Sequence, residues 1–222
     1  MQTMIVVLAL LESSCATTLR PAPGANVTPG PGVGAVAERE GLRVEARVEA
    51  WEGVPEALED EVTPVLVTIT NDSNTPLRLR YHEFKLVSAT GKEFAAIPPF
   101  HIQGTVTQRV ASFSYPTIGF GVAPYLSPYY PGLALFPGPF AYDPWYHDRY
   151  YPVFARISLP TGDMIQKALP EGVVEPQGRV SGFLYFENVG NDVARVDFRA
   201  DLINAGSSEQ FAVVSIPFMV TG

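Results

Sequence analysis

Few side chains in this sequence are of types that carry out covalent or ligand chemistry. There is one cysteine, Cys15, and there are three histidines, His82, His101 and His147. A zinc site needs several His, Cys or carboxylate ligands, commonly at short spacings. No two of these histidines form a His-x-x-x-His pair. The densest local set is Asp143, His147 and Asp148, within GPFAYDPWYHDRYYPVF. Calcium loops place oxygen ligands at alternate positions around a glycine that permits the sharp turn, and DPWYHD has neither. Asp143 reads more simply as the start of an Asp-Pro turn, with Asp148 beside Arg149. Ser112 to Ser114 lacks the Gly-x-Ser-x-Gly elbow of an esterase. No Gly-rich phosphate loop joins a strand to a helix. The expectation is a non-enzymatic protein with no catalytic residue, metal or cofactor. The rival from another class is a metal-dependent hydrolase using Asp143, His147, His82 or His101.

The rings around those residues are the stronger signal. Phe113 to Phe154 holds 14 of the 25 aromatic residues, eight prolines and only three charged residues. A disordered loop is depleted in aromatics, so these rings must be covered by something. Tyr and Trp are stiff and amphipathic, which suits contact surfaces and stacking on sugars or prolines. Tyr125, Tyr129, Tyr130, Tyr142, Trp145, Tyr146, Tyr150 and Tyr151 form the candidate contact surface. Three uses stay open: a proline-fixed cover over the domain's own core, a surface for an envelope protein, or a platform for polysaccharide.

Cys15 has a different kind of chemistry open to it. Met4 to Leu11 is an uninterrupted apolar run of eight residues, far short of the roughly 20 that span a bilayer but suited to a signal-peptide core. Cys15 follows the small residues Ser13 and Ser14. This resembles the lipobox of bacterial lipoproteins, in which the cysteine is lipidated and becomes the first mature residue. Glu12 replaces the aliphatic residue of that pattern, and no Lys or Arg precedes the apolar run. The resemblance implies a signal peptide over residues 1–14 and a membrane anchor at Cys15. Ala16 to Ala37 is rich in Pro, Gly and Thr and nearly uncharged, so residues 15–40 read as a flexible tether.

The remainder, residues 41–222, reads as one domain built of strands. Leu42, Val44, Ala46 and Val48 alternate with Arg43, Glu45 and Arg47, a half-buried strand with a charged face. The acidic stretch Glu52 to Glu61 follows as a solvated connection. Val65, Val67 and Ile69 lead to the turn formers Asn71 to Pro76, and Phe84 to Val87 and Phe94 to Ile97 form a hairpin pair. Val180, Gly182, Leu184 and Phe186 share one strand face, with Phe183 and Tyr185 on the other. Val196 to Leu202 and Phe211 to Phe218 are the last two strands. Only LPTGDMIQKALPEG, Leu159 to Gly172, has helical spacing, with Thr161 as N-cap and Met164, Ile165, Ala168 and Leu169 on one face.

Strands about ten residues apart with turns between them indicate a sandwich or small barrel. The composition agrees, with 46% hydrophobic residues, 19 Gly and 21 Pro. A net charge of −8 without a basic run excludes a nucleic-acid partner. Two segments resemble immunoglobulin-like domains of bacterial secreted proteins and lipoproteins, a group without assigned activity. One is an "I-x-N-x-S" strand end followed by an "L-x-x-x-x-G-x-x-F" hairpin, here Ile69, Asn71, Ser73, Leu86, Gly91 and Phe94. The other is a Pro-x-Gly turn before "V-S-G-x-L-x-F", here Pro176, Gly178, Val180 to Gly182, Leu184 and Phe186. The resemblance implies an all-β, immunoglobulin-like β-sandwich with one short helix and a long Tyr/Pro-rich insertion at residues 100–158. It also implies export to the cell envelope. The expected function is a lipid-anchored binding or structural module there.

Overall fold

The computed structural model describes residues 17–110 and 153–221. In chain order the strands are β1 (Thr18–Pro21), β2 (Asn26–Thr28), β3 (Val33–Arg39), β4 (Leu42–Val48) and β5 (Val62–Asn71). Then come β6 (Leu77–Leu79), β7 (Phe84–Ser88), β8 (Glu93–Ile97), β9 (Gly104–Val110) and β10 (Val153–Leu159). A short helix, α1 (Gly162–Lys167), precedes β11 (Gly172–Val174), β12 (Arg179–Glu187), β13 (Arg195–Asn204) and β14 (Gln210–Thr221). Single 3-10 turns lie at Leu58–Asp60, Tyr81–Glu83 and Pro99–His101.

The chain divides into two compact units, Met1–Val106 with Ser158–Gly222, and Thr107–Ile157. In the second unit the described residues belong to β9 and β10, which pair with each other. The first unit is all-β, a nearly closed, barrel-like sheet. Its strand order is β1-β14-β13-β7-β8-β12-β5-β4-β3-β2, with β6 bridging β13 and β11.

The alternation in the sequence explains the interior. Leu42, Val44, Ala46 and Val48 of β4 point inward, and Arg43 is exposed. Val65, Val67 and Ile69, Leu184 and Phe186, and Phe84 and Leu86 join them, as do Val196, Phe198, Ala200 and Leu202. A one-residue slip in any of these strands would turn its apolar set to solvent, so the pattern also holds the register. Phe84 stacks on Phe198, and Phe186 meets Phe198 edge-on.

Two sides of the barrel-like sheet are bridged by short strands. On one, β8 pairs with β7 through Lys85↔Ala95 and with β12 through Phe186↔Ala96. On the other, β1 pairs with the end of β14, from Thr18↔Thr221 to Pro21↔Phe218. A turn closed by Ala25 N–H to the Ala22 carbonyl (3.0 Å) then delivers the chain to β2, which pairs with β3.

The tether expected at residues 15–40 is therefore corrected. From Thr18 to Arg39 this stretch supplies three strands, with Leu19 and Ala35 buried. Gly and Pro here mark tight turns between very short strands, a use that composition alone does not distinguish from a loose link. The helix is also shorter than its spacing implies. Thr161 caps it as expected, accepting the Met164 N–H at 3.4 Å. Pro170 disfavours helical backbone at the residue before it, and the chain is already extended at Ala168. Ala168 bridges to Phe183, and Leu169 N–H donates to the Phe183 carbonyl at 2.9 Å.

Candidate functional site

Cys15 and the rings Tyr125, Tyr129, Tyr130, Tyr142, Trp145, Tyr146, Tyr150 and Tyr151 lie outside the described residues. So do Asp143, His147 and Asp148. His82 and His101 are described: each sits exposed in a separate single-turn helix. Among the described residues no group of three or more His, Cys, Asp or Glu could hold a metal ion.

Among the described residues, the buried polar side chains Thr63, Asn71, Ser73, Glu83 and Ser88 are each tied to a turn or strand end. Asn71, wholly buried at the end of β5, does the most. Its Nδ2 donates to the carbonyls of Thr75 (2.9 Å) and Val174 (3.0 Å), while its Oδ1 accepts from the Ser73 N–H (3.1 Å) and hydroxyl (2.6 Å). Its backbone is paired as well, accepting from Gln177 N–H and donating to Gly178 O. The two sequence signatures, Asn71-x-Ser73 and Pro176-x-Gly178, are thus two halves of one knot. Gln177 reaches it with a φ of 65°, a conformation that favours glycine. Glu83 accepts from the Arg80 N–H at 2.8 Å and from both Nε and Nη2 of Arg78 at 3.2 and 3.0 Å. Ser88 accepts the Lys92 N–H (2.9 Å) across the β7–β8 turn, and the Thr63 hydroxyl donates to Asn188 Oδ1 (3.3 Å).

A second apolar cluster covers the outer face of β12. Phe183 and Tyr185, read from the sequence as facing away from the core, are buried there with Leu58, Ile102, Leu159 and Met164. Trp51 meets both rings edge-on, at 5.1 and 6.1 Å, and its Nε1–H donates to the Pro55 carbonyl at 2.7 Å. Tyr185 donates to the Met164 carbonyl at 2.9 Å. Burial, then the neighbouring Tyr81 and Asp163, raise its phenol far above the ordinary range, so it stays protonated. Tyr81 donates to the Leu169 carbonyl (2.8 Å), and burial followed by Glu171 raises its phenol too. Neither hydroxyl is poised as a base.

One end of the unit gathers the N-terminal segment and acidic residues. The Thr17 hydroxyl donates to the Val189 carbonyl, and the hydroxyls of Thr18 and Thr221 lie 2.9 Å apart. Thr17 and Thr18 line a crevice of about 20 Å³ with Glu49 and Glu59, space for one water. Glu59 sits in the stretch read as solvated, but the buried Leu58 draws that turn onto the fold. Burial, then the charges of Glu49 and Asp60, hold the Glu59 carboxyl above its ordinary value. Elsewhere, residues Leu79 and Pro170 to Glu175 line a shallow, open depression. No protein-family model, curated protein or solved structure matches this chain.

Proposed function

We propose that this chain is an exported lipoprotein, anchored through Cys15, whose immunoglobulin-like sandwich is a non-enzymatic binding or structural module at the cell envelope. The observation that carries the non-enzymatic reading is the use of the buried polar groups. Thr63, Asn71, Ser73, Glu83 and Ser88 are each engaged in holding a turn or strand end. Catalytic groups are instead set free to face a substrate, commonly with shifted pKa values in a cleft.

Strand order supports the immunoglobulin-like assignment. Constant-type immunoglobulin domains have sheets A-B-E-D and C-F-G. Taking β4, β5, β7, β8, β12, β13 and β14 as A to G reproduces both orders, β4-β5-β12-β8 and β7-β13-β14. The departures are β8, which pairs with strands of both sheets, and the extra strands β1 to β3, β6 and β11.

Fractionation of cells carrying wild type and Cys15→Ser tests the anchor. Wild type is expected with the membranes and Cys15→Ser in the soluble fraction; unchanged partitioning refutes lipidation. Co-purification from intact envelopes, with and without residues 115–151, tests the aromatic segment as the contact surface. A partner or polysaccharide lost with that segment supports the module. Hydrolase activity abolished by His82→Ala or His101→Ala would replace the reading with the enzymatic one.

A further inference from the structure

We propose that the end of the sandwich bearing Thr17 faces the bilayer directly, without a flexible spacer, and that it fits a zwitterionic headgroup layer. This rests on the anchor at Cys15 proposed above. The position of the first ordered residues carries it. Thr17 is tied to the β12–β13 turn through the Val189 carbonyl, Thr18 is paired with Thr221, and Leu19 is buried. Two extended residue steps, roughly 7 Å, separate Cys15 from Thr17. A lipid on Cys15 therefore holds this end within about a Debye length of the membrane surface.

The same end carries the β4–β5 connection, with Glu49 and Asp60 exposed, and the start of β5, with Glu61 exposed. Among the described cations nearby, Arg195 pairs with Asp197 at 3.2 Å and Lys92 lies over the Phe94 ring at 4.6 Å, and the exposed Glu49, Asp60 and Glu61 outnumber the exposed Arg20 of β1. An excess of exposed carboxylates this close to a surface is repelled by anionic lipid and tolerated by neutral headgroups. The β13–β14 turn, Ala205 to Glu209, projects away from the membrane. The ten residues of β13 separate it from the anchored end, roughly 30 Å at strand rise.

The test uses the full lipidated chain in phosphatidylcholine vesicles that contain a headgroup quencher. Single fluorophores are placed at Asn191→Cys, in the β12–β13 turn, or at Glu209→Cys, in the far turn. Quenching is expected to be severalfold stronger at position 191, and to weaken there when anionic phosphatidylglycerol is added at low salt. Equal quenching, or stronger quenching at 209, overturns the orientation. Stronger quenching at 191 on anionic vesicles overturns the headgroup preference. Failure of the anchor itself is read separately: a second fluorophore per chain, on Cys15, shows that the cysteine carries no lipid.

Discussion

Asn71 shows how much of this fold hangs on single polar side chains. Its amide, wholly buried, satisfies the Thr75 and Val174 carbonyls and the two donors of Ser73. Asn71→Ala strips the buried Val174 carbonyl and the buried Ser73 donors of this partner, and each buried group left unpaired costs about 1–3 kcal/mol. The expected loss is on the order of 3 kcal/mol in urea unfolding, with Asn71→Asp intermediate because it keeps the acceptor. Glu59 makes the opposite case. Its folded-state pKa is raised by burial, then Glu49 and Asp60, so the folded chain binds that proton more tightly than the unfolded chain. The stability it contributes is present below the unfolded pKa and lost as pH rises through the folded value. Glu59→Gln is therefore expected to be more stable than wild type at pH 7, with the difference fading below about pH 4, where the carboxyl is protonated in both states. Thermal melts across that range check the sign.

The β12 segment shows how an element is held on both faces. Leu184 and Phe186 enter the main core, while Phe183 and Tyr185 enter the second cluster. Gly182 lets the Ala168–Leu169 backbone approach β12 closely; a Cβ there would lie 2.5 Å from the Leu169 N and Cα. Gly182→Ala is expected to destabilise by about 1–3 kcal/mol, as overpacking does, and to loosen Met164 and α1 first. The readout is hydrogen exchange at the Leu169 N–H, whose bond to Phe183 O should open earlier. The sequence motif contains this glycine, but its reason lies 13 residues upstream in a segment with helical spacing.

At the scale of the molecule, the chain leaves the first unit at Val106 and re-enters it at Ser158, with Thr107–Ile157 forming a unit of its own. Among the described residues, both core clusters are built from the first unit. Replacing Thr107–Ile157 by a short Gly-Ser turn is expected to leave the near-UV circular dichroism of the first unit and its unfolding midpoint close to wild type. Loss of cooperative unfolding would show that the first unit depends on the aromatic segment. That variant also separates the two roles proposed for the chain, since it keeps Cys15 and the anchored end.

Periodicity alone was enough to locate β4, β5, β7, β12, β13 and β14, because a strand buried on one face must alternate. It also identified the outward rings Phe183 and Tyr185 and the cap at Thr161. Only the tertiary structure decided what β1 to β3 are. β1 and β2, of four and three residues, are too short to show a period, β3 does not alternate in burial, and the stability of all three comes from pairing with neighbouring strands. The same holds for Glu59 and Asn71, whose environments are assembled from segments far apart in sequence. Local residue types state what a side chain can do; burial and partners, set by distant strands, decide which of those things it does.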